Sequence, residues 1–156
     1  MNIKKRIFVA GITLALTTAV YAQRVVEVDV CVYGATSAGV IAAYTVQKLG
    51  KKAILVEPGR RIGGLTSGGL GYTDIGNKYA ISGISRDFYR RVGKHYGKFE
   101  QWIFEPKVAE MIFQGYVERG GFEVLYETRL KEVRKDGNRI TEVVLENSIN
   151  PSRATD

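Results

Sequence analysis

Cysteine is almost missing from this chain of 156 residues, and Cys31 is its only one. A single cysteine excludes a disulfide framework and any Cys-based structural zinc site. Histidine is just as scarce, with His95 alone, which does not fit a His-rich catalytic metal centre. Proline occurs 3 times, and repeats and low-complexity tracts are absent. With 45% hydrophobic and 25% charged residues, the chain is not disordered, collagenous or coiled-coil. The length suits one domain, at about 100–200 residues per domain. The longest uncharged apolar stretch, Ile7 to Val20, falls short of the roughly 20 residues that a bilayer core needs.

That stretch has another reading. Lys4, Lys5 and Arg6 precede it, and Val20-Tyr21-Ala22 follows with small residues at the −3 and −1 positions. This is the layout of a secretory signal peptide over residues 1–22, cleaved after Ala22. A secreted or periplasmic protein with no stable membrane anchor is therefore expected. No cysteine near the cut offers a lipid attachment site. Removing the signal takes away three of the 23 basic residues and none of the 16 acidic ones, which leaves a net charge of +4. So small an excess does not suggest a nucleic-acid partner. The densest basic cluster, Arg86, Arg90, Arg91, Lys94 and Lys98, has the spacing of a solvated helix face.

Residues 27–33 read as a strand, with Val28, Val30 and Val32 alternating with Glu27, Asp29 and Cys31. Cys31 is expected to pack as a small buried hydrophobe. A small-residue turn at 34–39 leads into a helix ending near Leu49, with Ala42, Val46 and Leu49 on one face and Gly50 as its stop. Residues 53–57 form a second short strand, closed by Pro58-Gly59. Strand, helix and strand within about 30 residues predict a right-handed βαβ unit on a parallel sheet. The Gly-rich residues 60–76 keep no hydrophobic period and read as an extended loop beside a ligand. Ile84, Phe88 and Val92 mark one helix face. Pro106 suits a first helical position. Val108, Met111, Ile112 and Gly115 are the expected buried stripe of that next helix, which Gly120-Gly121 ends. From Phe122 the period changes to two. Residues 122–126 read as a strand, and 130–135 with 139–146 as a hairpin around Asp136-Gly137-Asn138. The predicted fold class is α/β: a Rossmann-like βαβ unit with a parallel sheet, then a C-terminal hairpin. Residues 23–147 form the ordered part, and 148–156 a polar tail.

The chemistry concentrates in the turns. In Gly34-Ala35-Thr36-Ser37-Ala38-Gly39 the outer glycines match a dinucleotide-binding turn, where one makes the tight bend and the other lets helix and strand pack closely. Thr36 replaces the usual middle glycine, and the Thr36 and Ser37 hydroxyls offer hydrogen bonds to phosphate instead. The helix start adds free N–H groups and a positive dipole end. Glu57 ends the second strand, where an acid accepts hydrogen bonds from ribose hydroxyls and would repel a 2′-phosphate. This favours FAD or NAD over NADP. Arg61-Ile62-Gly63-Gly64-Leu65-Thr66-Ser67 then supplies a second Gly pair, which suits a further stretch of pyrophosphate.

These motifs resemble the N-terminal half of an FAD-dependent oxidoreductase of the glutathione-reductase-like class. More narrowly they resemble secreted bacterial FAD-dependent oxidoreductases, through residues 34–39, Glu57-Pro58 and 63–71. Residues 86–93 and Phe104-Glu105-Pro106 extend the likeness to about 28–147. The resemblance implies that Gly34, Ala35, Ser37, Ala38 and Gly39 hold the diphosphate and that Thr36 is a normal residue of the turn. It implies Glu57 on the ribose, with Arg61, Gly63, Gly64, Leu65 and Thr66 along the pyrophosphate towards the flavin. It also implies hydride transfer between a small-molecule or carbohydrate-derived substrate and FAD. No catalytic base carries over. His95 is expected at the surface, and Tyr72, Asp74 and Tyr79 are candidates to face the flavin ring. A polysaccharide (xanthan) lyase-like protein and an inactive truncated fragment are the alternatives. Set against that family, the chain reads as an incomplete flavin domain of marginal stability, lacking a strand of its sheet.

Overall fold

The computed structural model describes residues 24–151. The expected signal peptide at 1–22 lies outside them. Ten elements follow in order: β1 (Val30–Tyr33), α1 (Ser37–Lys48), β2 (Ala53–Val56), α2 (Leu65–Gly68), a single 3-10 turn (Lys78–Ala80), α3 (Gly83–His95), α4 (Pro106–Gly120), β3 (Glu123–Leu125), β4 (Thr128–Asp136) and β5 (Arg139–Asn147). They form a three-stranded parallel sheet in the order β1-β2-β3 and a separate antiparallel β4-β5 hairpin. The predicted α/β class and βαβ unit are observed.

The register explains the site that follows. Cys31 lies opposite Ile54 and Tyr33 opposite Val56, so β1 and β2 end level, and the turns after them share one edge of the sheet. β2 is central and buried along its whole length. Ala53 and Leu55 face a core that also contains Val40, Ala43, Phe88, Val92, Val108, Ile112, Phe113 and Tyr116. Phe88 stacks on Phe113 at 4.9 Å between centroids and meets Phe104 edge-on at 5.6 Å. Such pairs contribute about 0.5–1.5 kcal/mol beyond the area they bury.

Local signals place the ends well. Gly50 takes φ +74 after α1, and Gly121 caps α4 with φ +66. Both lie in the left-handed region, where a side chain is strained. Pro106 opens α4. Asp136 pairs with Arg139 across Gly137-Asn138, the expected hairpin turn.

Four expectations need correction. The strand predicted from residue 27 starts only at Val30. Before it, Asp29 is held sideways by its carboxylate, which accepts from the Lys52 N–H at 2.8 Å. Cys31 is exposed, because β1 is an edge strand of the described sheet and little covers it. In α1 the inward residues are Gly39, Val40 and Ala43, while Leu49 is 74% exposed. In α4 the stripe is Val108, Ala109, Ile112, Phe113 and Tyr116, while Met111 is exposed. The helix turns its aromatic residues inward, since Phe113 and Tyr116 fill space between α1 and α3 that Met111 and Gly115 leave open.

The basic cluster is also more engaged than a solvated face. Arg86 and Arg90 both pair with Glu100, and Arg91 pairs with Asp87 at 2.6 Å. The buried Tyr116 hydroxyl donates to the same Asp87 oxygen at 2.7 Å. Burial alone would raise the Asp87 pKa, but Tyr116 and Arg91 together hold it below the ordinary carboxylate value. No helix among the described residues is long and apolar enough to cross a membrane.

Candidate cofactor-binding site

β1 stops at Tyr33 and the chain turns sharply. Gly34 adopts φ +100 while its N–H donates to the Val56 carbonyl at 2.7 Å. A side chain at that angle would be strained, which is why glycine stands there. Thr36 is the N-cap of α1, and its hydroxyl oxygen accepts from the Gly39 N–H at 3.1 Å. Thr36 therefore organises the helix start, and the hydroxyl proton remains available to a ligand. Ser37 and Ala38 occupy the first two helical positions, so their N–H groups have no intrahelical partner and sit at the positive end of the helix dipole.

Gly39 is required by space, not by its backbone angle. A Cβ there would lie 2.0 Å from the Gly34 carbonyl oxygen. Only glycine lets α1 come this close to the end of β1.

Glu57 closes the other side. Its N–H donates to the Leu125 carbonyl at 2.8 Å and its carbonyl accepts from Thr128 at 3.0 Å. β3 and β4 thus fasten the backbone that carries it. Its carboxylate accepts from the Ala35 N–H and the Gly59 N–H, both at 2.7 Å. An ionised carboxylate has about four acceptor positions, so two remain for ribose hydroxyls. Gly59 was not anticipated as a contributor. Its spacing two residues after the acid is the only sign of it in the sequence.

The second Gly pair lies directly against the first turn. Gly63 donates its N–H to the Ala35 carbonyl at 2.7 Å, and Thr36 and Gly63 form a parallel bridge. A Cβ on Gly64 would stand 3.3 Å from Thr36. Thr66 lies on α2, its hydroxyl 3.4 Å from that of Ser37. Leu65, the first residue of α2, is 73% exposed.

Eleven of the twelve sequence-predicted cofactor residues therefore lie in the turns at the ends of β1 and β2 and in the loop laid against them. The side chain of Arg61 is directed elsewhere. It pairs with Glu110 of α4 at 2.7 Å and reaches the Ser67 carbonyl at 3.5 Å. Hydrogen bonding to Glu110 holds its pKa above the ordinary guanidinium value. No local pattern could have revealed Glu110, which is 49 residues away. His95 is exposed at the end of α3, as expected. Tyr72 and Tyr79 are each 77% exposed, and Asp74 is exposed too. Among the described residues, no group of three or more His, Cys, Asp or Glu could hold a metal ion.

The geometry suits a dinucleotide. Gly39, Gly63 and Gly64 stand where a Cβ would collide or crowd, the first amides of α1 have no intrahelical partner, and a carboxylate closes the neighbouring strand. Residues 29–155 match the family model described as FAD dependent oxidoreductase. The chain is 26% identical over 139 residues to a thiamine thiazole synthase of Pyrococcus horikoshii, covering 86% of this chain and 54% of that protein. Among solved structures it resembles THI4 of Thermovibrio ammonificans, with TM-score 0.54 and 17% identity over 78% of this chain and 48% of that one. It also resembles an L-amino acid deaminase of Proteus vulgaris, with TM-score 0.52 and 16% identity over 82% of this chain and 52% of that one. At such identities the structural likeness establishes the Rossmann-like fold. This chain spans about half the length of these relatives. Matched over most of its residues by the family model, the chain belongs to the FAD-dependent oxidoreductase family.

Proposed function

We propose that this chain is the FAD-binding part of an enzyme that moves a hydride between a small-molecule or carbohydrate-derived substrate and flavin. The observation that carries this reading is the contact of α1 with the end of β1 at Gly39, where no Cβ fits. It brings the start of α1, where the Ser37 and Ala38 amides have no intrahelical partner, against the end of β1. FAD, when bound, supplies the hydride-accepting ring, and the protein supplies binding and orientation.

The residues divide the work. Gly34, Ala35, Thr36, Ser37, Ala38 and Gly39 would hold the diphosphate at the helix start. Glu57 would accept from the adenosine ribose, using the oxygen positions that Ala35 and Gly59 leave open. Gly63, Gly64, Leu65 and Thr66 would lie along the pyrophosphate towards the flavin. Arg61, anchored on Glu110, would contribute positive potential from the loop's outer side rather than a direct phosphate contact. Tyr72, Asp74 and Tyr79 follow this loop and stand as candidates for the flavin's substrate side.

The glutathione-reductase-like class and export through residues 1–22 belong to the same proposal. They are supported by the motif order and by the charged, apolar and small-residue segments at the start of the chain. Neither the matched family nor the relatives named above favour the lyase alternative. Titration of FAD into the full-length protein, read by flavin fluorescence, tests the reading. Saturable quenching, reversed by ADP and not by a 2′-phosphorylated adenosine, is expected. No quenching of a fixed, low concentration of FAD by a large excess of the protein would overturn it.

A further inference from the structure

Ser67 has no role in the cofactor turn as read so far. Among the described residues its hydroxyl is buried in the core, at 1% exposure. A buried hydroxyl needs a partner. Its Oγ donates to the Ile62 carbonyl and lies 3.3 Å from the Gly64 carbonyl. These two carbonyls bracket Gly63, the residue whose N–H bonds to Ala35 of the first turn.

The backbone there is unusual. Gly63 has φ +95 and Gly64 has φ +55. Two successive residues in the left-handed region do not hold that shape by themselves, because glycine also populates other regions freely. Something must select it. The Phe113 ring packs where a Cβ on Gly63 would stand, 2.6 Å from that point. The Ser67 Oγ lies 2.7 Å from the same point. Ring and hydroxyl thus both crowd the face of Gly63 on which a side chain would project.

We infer that Ser67 is a positioning residue for FAD. Its hydroxyl ties Ile62 and Gly64 into the shape that lays the second Gly pair against the diphosphate turn. It acts through the loop backbone and has no contact with the cofactor itself. This rests on the FAD reading of the site given above.

The test compares FAD affinity in the full-length wild type, Ser67→Ala and Ser67→Thr, with urea unfolding of each in the absence of FAD. Removing the hydroxyl leaves the buried Ile62 carbonyl without its donor, so about tenfold weaker FAD binding is expected for Ser67→Ala. Ser67→Thr retains the hydroxyl and should bind within about twofold of wild type, judged against the same hydrogen-bond scale. If the alanine variant does not fold, Ser67→Cys, nearly the same size but a weaker donor, takes its place with the same expected direction. A double-mutant cycle with Gly64→Ala adds a readout that a purely structural role would not move. The two substitutions should be non-additive in FAD affinity, because they act on one loop. Wild-type affinity in Ser67→Ala, with only the unfolding midpoint lowered, would refute the inference and leave the FAD reading intact. A wild type that gives no quenching would overturn both.

Discussion

Gly39→Ala separates two physical accounts by the sign of its effect. Within a helix, alanine is better than glycine by about 1 kcal/mol. If Gly39 were simply the third residue of α1, the substitution would stabilise the protein. The structure demands the opposite. The new Cβ would lie 2.0 Å from the Gly34 carbonyl oxygen and 3.2 Å from its carbon. An ordinary carbon–oxygen contact is about 3.3 Å or longer, so helix and strand must part by roughly 1 Å. The obstacle is backbone, and Gly34 is itself held by its bond to Val56 at 2.7 Å. Overpacking of this kind costs about 1–3 kcal/mol, occasionally more, and a rigid neighbour puts this case at the upper end. After the helix-propensity gain, a net loss of about 2 kcal/mol is expected. The same displacement moves the start of α1, with its free Ser37 and Ala38 amides, away from the end of β1, so FAD affinity should fall at least tenfold, on the order of 1.4 kcal/mol. Urea unfolding followed by circular dichroism, with FAD titration on the same preparations, measures both. Ala42→Gly is the control: Ala42 is an exposed residue of α1, and its replacement should cost about 1 kcal/mol with FAD binding unchanged. A Gly39→Ala protein that is more stable than wild type and binds FAD equally well would refute the close-approach argument.

Three further outcomes follow from the same geometry. Glu57→Gln keeps one acceptor oxygen for two backbone N–H groups, so stability should fall by about 1–3 kcal/mol and FAD binding should weaken; unchanged binding in the fluorescence titration would remove Glu57 from the ribose role. Glu100 is held below the ordinary carboxylate range by hydrogen bonding from Arg86 first, with burial opposing and Arg90 assisting. A depressed folded-state pKa gives stability that is present above the unfolded value of about 4.3 and lost as pH falls through the folded one. Unfolding curves from pH 7 down to pH 2 should therefore show Glu100→Gln less stable at neutral pH, with the gap closing below about pH 4; a pH-independent gap would contradict the assignment. Phe113→Ala removes a ring that is 2% exposed beneath Gly63. A loss of about 3–5 kcal/mol in urea unfolding is expected, and a loss under 1 kcal/mol would show that the ring does not support the loop.

Much of the fold was legible because its signals are local. The change from period two to helical spacing located β1 and α1. Pro106, Gly50 and Gly121 marked helix ends through backbone angles that need no distant partner. The cofactor turns were legible for the same reason, since Gly34, Gly39, Gly63 and Gly64 meet conditions imposed within one βαβ unit and the loop after it. Inward and outward facing was harder to read. Met111 and Phe113 are both apolar and two residues apart on α4, and only the packing of Phe88 beside Phe113 selects which one is buried. Cys31 sits in a strand that looks like any buried strand, yet its edge position leaves it exposed.

The sequence by itself determined the parallel βαβ unit, the glycine turn and the acid after the second strand. Each depends on residues close in the chain, where steric rules for φ, capping and hydrogen bonding act directly. The tertiary structure alone decided that Glu110 holds Arg61, that the Glu57 carboxylate reaches Ala35, and that Phe113 of α4 crowds the side-chain face of Gly63. These contacts depend on how close α4 and the loop come to rest against the sheet. That distance is set by the packing of the whole core, and no short window of sequence contains it.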